Sequence, residues 1–379
     1  MKRQSQTPDA ATAAARARLD SLDVFRGLTI ASMILVNNPG NWNTVYGPLR
    51  HAPWDGCTPT DLIFPFFLFI AGVAIPFSMR APDAAGRAAL VARIFRRSLI
   101  IFAFGMLLAL FPFFKFATVR IPGVLQRIAV CYLVAALIFL FTDRRGQLAA
   151  IAALLLGYWA LMTLAPVPGY GAGVLTPEGN LAAYIDNALM HSHLYRPTWD
   201  PEGILSTLPA IASVLLGVLA GQWLRSGRRS RQLLIGLSGA GAALVLAGWL
   251  WGRVFPINKA LWSSSYTLYT AGLAALGLAV CLWIVDLRGW KQWALPFTIF
   301  GRNSILVYVL AGLIARGLVS FKVTASEGPP VFVKTYLYET FFAPLASPIN
   351  ASLLYALCFV VILFVPMAIL YAKGIFLKA

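Results

Sequence analysis

Apolar runs of about twenty residues alternate along the chain with short polar stretches carrying Arg, Gly and Pro. In hydrocarbon every backbone amide must be paired within its own segment, so runs of this length predict helices and not strands. Ten such segments lie near residues 22–39, 60–79, 94–114, 122–142, 148–166, 203–224, 232–253, 265–286, 295–319 and 349–372. The pattern therefore predicts an all-α, polytopic membrane helix bundle of about ten transmembrane helices.

The polar stretches supply an independent check, because loops near helix ends on the cytoplasmic side carry the excess of Lys and Arg. With the N-terminus inside, the cytoplasmic stretches collect 20 basic residues, in groups such as Arg16, Arg18 and Arg26, Arg80 to Arg97, Arg144 and Arg145, and Arg225 to Arg231. The outer stretches collect 8, and Arg127, Arg302 and Arg316 fall inside apolar runs. Both termini are thus expected in the cytoplasm, with residues 1–20 as a flexible cytoplasmic segment and 21–379 as the transmembrane domain. Three outer loops are long, 40–59, 167–202 and 320–348, and the first two hold all three histidines. Gly217 and Gly221 form a G-x-x-x-G, and Gly236, Gly239 and Gly241 crowd the seventh segment, which favours close helix approach. Pro65, Pro76, Pro112, Pro209, Pro296 and Pro366 are expected to interrupt helices around an internal cavity.

Composition agrees: 59% apolar and 12% charged residues, with a mean hydropathy of +0.74, leave the bilayer as the main solvent. The net charge of +17 resides in short inter-helix clusters, not on one amphipathic face, so no nucleic-acid partner is expected. The first twenty residues are polar and Ala-rich, and no cleavable signal peptide is expected. The four cysteines form no C-x-x-C pair and read as packing residues, and no metal site is expected.

Ionisable groups at membrane depth are costly, and each is a functional candidate. The stretch Arg50-His51-Ala52-Pro53-Trp54-Asp55-Gly56 leads into Asp61 at the outer end of the second segment. A histidine there could act as base or nucleophile, with Asp55 or Asp61 fixing its tautomer. The plainer reading is an interfacial histidine beside an anchoring Trp54, with Asp61 capping a helix. Asn37 and Asn38 end the first segment in a turn-like Asn-Asn-Pro-Gly, and an amide there could also donate to an oxyanion. Gln126 and Arg127 lie a turn inside the fourth segment, and a buried Arg127 should have a carboxylate or substrate partner. Asp200 and Glu202 open the sixth, where the helix dipole alone would favour them. Arg302, Asn303 and Ser304, with Arg26, lie toward the cytoplasmic ends, where they could hold phosphates, although topology explains most loop arginines. His191 and His193 are spaced poorly for one helical face.

The blocks Ser21-Leu22-Asp23-Val24-Phe25-Arg26-Gly27, Val36-Asn37, His51-Ala52-Pro53-Trp54-Asp55-Gly56 and Asp61-Leu62-Ile63-Phe64-Pro65 resemble the transmembrane heparan-α-glucosaminide N-acetyltransferase family and its bacterial relatives. Further matching motifs follow in order: Arg120 to Arg127, Asp200 to Leu205, Pro256 to Lys259 with Trp262-Ser263, and Asn303 to Ile305. The resemblance spans roughly residues 20–372. It implies a transmembrane acyltransferase domain that moves an acetyl group from cytosolic acetyl-CoA to the amine of a glucosamine-type sugar on the far side. The family's catalytic histidine falls on His51 and a functional asparagine on Asn37. Asp61 joins them as the third catalytic candidate, and Trp54, Asp55, Gln126, Arg127, Asp200, Glu202, Asn258 and Lys259 are the candidates for acceptor binding. Arg26, Arg302, Asn303 and Ser304 are the candidates for the donor. Asp55 stands where animal members tend to carry an amide, so heparan is not implied as the acceptor.

The implied partners are the lipid bilayer, acetyl-CoA and an amino-sugar or glycan acceptor, with a homodimer as one assembly such a bundle could adopt. The implied location is a bacterial cytoplasmic (inner) membrane. An amino-sugar transporter, or O-acetylation of an envelope glycan, are the competing expectations.

Overall fold

The computed structural model describes residues 19–79, 86–324 and 329–376. The expected cytoplasmic segment 1–20 lies outside them, save its last two residues, as does Arg80. The described chain is a helical bundle, with strands confined to two short antiparallel hairpins, Pro166–Val167 with Gly171–Ala172 and Lys322–Val323 with Val331–Phe332.

The long helices are α1 (Asp20–Asn37), α2 (Ile63–Ser78), α3 (Gly86–Leu110), α4 (Val124–Phe141), α5 (Arg144–Leu164) and, beyond the loop helix α6 (Leu181–Met190), α7 (Thr207–Leu224). They continue with α8 (Ser230–Trp251), α9 (Ser264–Cys281, prolonged as a π-helix to Leu287), the pair α10 (Leu295–Arg302) and α11 (Ser304–Ser320), the short α12 (Val333–Leu337), and α13 (Pro348–Ala372). Each of the ten apolar segments falls on one of these. Among the described residues, seven helices are long and apolar enough to cross a membrane, counting α2 with its leading turn and α9 with its π-helical extension. Asp20, Asp23 and Arg26 in α1, and Arg93, Arg96 and Arg97 in α3, keep those two out of the seven.

The ninth segment corrects the expectation of a straight span: α10 and α11 meet at 83°. Asn303 leaves helical geometry at the break, and its side-chain amide donates to the Ile375 carbonyl at 3.1 Å. The prolines also need correcting. Pro76 and Pro366 lie in helix interiors, whereas Pro65 and Pro209 fall in first turns, Pro296 in the opening position of α10, and Pro112 beyond the end of α3. First-turn amides have no intrahelical acceptor, so proline is tolerated there.

The centre of the bundle is the contact of α2 with α7. A Cβ on Gly72 would meet the Val214 carbonyl oxygen at 2.0 Å, and one on Gly217 would meet that of Phe69 at 2.1 Å, so this approach requires glycine on both helices. Gly221 lies against Val73 in the same way, and the G-x-x-x-G expectation holds. On the outside, α5, α8 and α13 expose apolar side chains such as Leu156, Leu164, Ile235, Leu250, Val361 and Ile362, as lipid-facing helices do.

Candidate active site

Thr58-Pro59-Thr60-Asp61 has the pattern of a helix start: threonine as N-cap, proline in the first turn and an acid at the third position. Both halves of the capping box form. The Asp61 side chain is 1% exposed, and its Oδ2 accepts the Thr58 N–H, the Thr58 hydroxyl and the Ala52 N–H, each at 3.0 Å. Its Oδ1 stays available to His51, whose Nδ1 lies 2.6 Å away. A carboxylate that close to a ring nitrogen requires a proton on Nδ1, leaving the lone pair on Nε2. The His51 side chain is 46% exposed. Asp61 thus caps the helix with Oδ2 and meets the histidine with Oδ1.

The loop between α8 and α9 completes the group. The Gly56 amide donates to the Ile257 carbonyl at 2.7 Å, and buried Asn258 donates from Nδ2 to Asp55 Oδ1 at 3.0 Å. Asp55 thus holds the two loops together and does not meet the histidine. Gly56 has φ +106°, a conformation that favours glycine. The stitching brings Lys259 Nζ to 3.0 Å from His51 Nδ1, 3.4 Å from Nε2 and 3.5 Å from Asp61 Oδ1. Burial pulls the Lys259 pKa below the ordinary lysine value, against the opposing pull of Asp61. Beside this group, burial and the Asp61 charge push the Cys57 thiol up to about 12 despite Lys259, so it is no ready nucleophile. Trp54 donates from Nε1 to the Leu175 carbonyl at 2.9 Å and meets Trp199 edge-on at 5.3 Å. The Tyr266 hydroxyl donates to the Asp61 carbonyl at 2.5 Å, tying α9 to the start of α2.

A second polar group brings together Asp200 and Glu202, and its cation is Arg120, which was not among the sequence candidates. Arg120 grips Asp200 through two hydrogen bonds of 2.8 and 2.6 Å and also bonds Glu202. Burial works against the guanidinium charge, but the Asp200 hydrogen bonds and both carboxylate charges outweigh it and hold its pKa above the ordinary value. Of the two partners expected for Arg127, a carboxylate or a substrate, no carboxylate hydrogen-bonds it among the described residues. It is buried, donates from Nη2 to the Gly203 carbonyl at 3.0 Å and to the Ser206 hydroxyl, and faces the Trp262 ring at 5.2 Å. Its Nε and Nη1 have no hydrogen-bond partner among the described residues. Gln126 packs in the niche between Gly105 and Gly123 and donates to Met106 Sδ at 3.6 Å. His193 is engaged by the Val119 carbonyl at 2.7 Å.

The remaining candidates lie elsewhere. Arg26, Arg302 and Asn303 gather where the first turns of α1 meet the α10/α11 break. Arg26 reaches Asp23 and the Gly301 carbonyl, both at 3.4 Å, and Arg302 lies 3.8 Å from Asp23 and about 5 Å from the Tyr371 and Phe376 rings. Ser304 starts α11 beside them. Asn37, at the end of α1, is exposed to a cavity of about 590 Å³ whose wall does not include His51. Tyr195 links that cavity to the ion cluster, since it lines the one and lies under the Arg120 guanidinium at 4.7 Å.

The family model described as heparan-alpha-glucosaminide N-acetyltransferase, catalytic, matches residues 18–252. The human heparan-alpha-glucosaminide N-acetyltransferase is 34% identical over 77% of this chain and 52% of its own length, and the mouse protein 32% over 77% and 53%. The chain spans about half the length of these curated relatives. The match contains His51 and Asp61, whose contact gives the expected histidine a fixed tautomer, and on this similarity the chain belongs to the heparan-alpha-glucosaminide N-acetyltransferase catalytic family.

Proposed function

We propose that this protein is an integral membrane N-acetyltransferase, moving an acetyl group from cytosolic acetyl-CoA to the amine of a glucosamine-type sugar on the outer side of the membrane. The observation that carries the reading is the His51 to Asp61 contact at 2.6 Å, on a carboxylate already fixed by three other donors. With Nδ1–H committed, Nε2 is the working atom in either of two routes. In a ternary complex it takes a proton from the acceptor amine as the nitrogen attacks the thioester carbonyl; the C–N bond forms, the C–S bond breaks, and the imidazolium returns the proton to the departing thiolate. In a two-step route Nε2 itself attacks and the C–S bond breaks to release the thiolate; the amine then forms the C–N bond as the C–Nε2 bond breaks, and the proton it loses balances the one taken up by the thiolate. In both, Asp61 balances the charge that develops on the ring. Asn37 is included as a functional residue on the motif resemblance, and it faces a cavity whose wall does not include His51.

Both termini are proposed to be cytoplasmic, which places His51 on the opposite side, so the acetyl group has about 30 Å of hydrocarbon to cross. Purified protein supplied with labelled acetyl-CoA and glucosamine tests the reading, with His51→Ala compared at equal folded yield. Transfer by the wild type that disappears in the variant is the expected result, and trapped acetylated protein would select the two-step route. Equal activity in the variant would remove His51 from the chemistry.

A further inference from the structure

Arg316 lies in α11, and neither it nor Lys334, in α12, has a salt-bridge partner among the described residues. Arg316 is exposed and Lys334 half-buried, and two cations turned to one cavity without an acid repel each other unless something else supplies the negative charge. Both side chains line the cavity that Asn37 faces, and no Asp or Glu belongs to its wall. The same wall carries Trp42, Tyr195 and Tyr355, and Lys334 Nζ lies 5.8 Å from the Trp42 ring centre and 6.0 Å from that of Tyr355. Partial burial pulls the Lys334 pKa below the ordinary lysine value, as expected of a half-buried ammonium without an acid beside it.

We infer that this cavity is a subsite for an anionic group on the acceptor, so that the preferred substrate is an acidic amino sugar, one bearing a phosphate or carboxylate, and not glucosamine itself. The inference rests on the acetyltransferase reading for the identity of the sugar. Its own content is the sign of the charge recognised and the residues that recognise it. A guanidinium fork suits a phosphate or carboxylate in two-point contact, an ammonium adds a second charge, and aromatic faces with an asparagine amide suit a sugar ring. The volume of about 590 Å³ suits a mono- or disaccharide. Trp42, Tyr195 and Lys334 come from the three long loops expected on the outer side, which favours the acceptor over the phosphates of a donor arriving from the cytosol.

Binding measured without turnover tests this apart from the chemistry. Glucosamine 6-phosphate, muramic acid, glucosamine and coenzyme A are titrated by calorimetry into the full-length protein in detergent, as wild type, Arg316→Gln, Lys334→Gln and Arg316→Lys, each checked for an unchanged melting temperature. The two acidic sugars are expected to bind about tenfold or more tightly than glucosamine. Arg316→Gln and Lys334→Gln should each reduce that preference, and Arg316→Lys should keep part of it. Equal affinity for acidic and neutral sugars, or a preference untouched by both Gln variants, would overturn the inference. So would weakened binding of coenzyme A alone, which would assign the cations to donor phosphates. Selective binding by a wild type that transfers no acetyl group would instead defeat the acetyltransferase reading and leave the anion subsite standing.

Discussion

Asp61→Asn changes one atom in the candidate site, and the geometry dictates where that atom goes. Three donors converge on Oδ2 at 3.0 Å, so the amide oxygen must stay there and the new NH2 must replace Oδ1. That NH2 then faces His51 Nδ1 across the 2.6 Å contact and can only donate, so the ring proton moves to Nε2. The base and nucleophile are lost together, although every residue keeps its place. Loss of one charge-assisted hydrogen bond, about 1.5–3 kcal/mol, sets a floor of about tenfold, and a wrong tautomer in a triad of this kind costs about 10⁴, so kcat should fall by about 10–10⁴. Lys259 loses the carboxylate 3.5 Å away, and a stability loss of about 1–3 kcal/mol is expected as well. Acetyl transfer must therefore be measured per folded molecule. Asp55→Asn is the matched control, since that carboxylate bonds Asn258 and not the histidine. Turnover by Asp61→Asn equal to that of the wild type would refute the tautomer argument, and an equal loss in both variants would reduce it to loop packing.

Gly217→Val should open the α2/α7 contact, because its Cβ would lie 2.1 Å from the Phe69 carbonyl oxygen; a loss of about 1–3 kcal/mol or more is expected, and an unchanged melting temperature would count against the packing described. Arg120→Met strands Asp200, whose side chain is fully buried, and should cost about 3–5 kcal/mol, with part recovered in the Arg120→Met/Asp200→Asn double variant. Burial pushes the Asp186 carboxyl from 3.8 up to about 7, with the Ile204 amide and Arg127 opposing and Asp200 adding to the rise. The folded state therefore holds this proton more tightly than the unfolded one. Its contribution is complete below about pH 4 and is lost as the pH rises through about 7, so melting curves across that range should decline in the wild type and flatten in Asp186→Asn.

The positions of the helices were legible because apolar run length is a local property, and all ten segments coincide with helices. The break at Asn303 was not, since Gly301-Arg302-Asn303-Ser304 interrupts the apolar run without a proline, and the amide's acceptor lies at Ile375. The same limit governs the polar residues. Arg127 drew attention by its depth, yet its hydrogen-bond partners are neutral, while Arg120, in the loop before α4, takes both carboxylates. The Thr58/Asp61 cap and the adjacent histidine could be proposed because they lie within ten residues of one another. Lys259 is 208 residues from His51, and only its motif marked it as a candidate; its contact is set by the pairing of Asp55 with Asn258. The donor candidates do gather, around Asp23, but beside a helix break that no local pattern announced.

The histidine and its carboxylate ride on one helix entrance, whereas Lys259 hangs from the loop joining two others, and the Tyr266 hydroxyl is the buried peg between them. Bilayer thickness therefore acts on this group unevenly. A membrane that forces α2 to tilt against α8 and α9 strains the Lys259 contacts before it disturbs the 2.6 Å bond, because that bond joins two residues of the one segment leading into α2. Lipid chain length thereby becomes a dial on the ammonium alone.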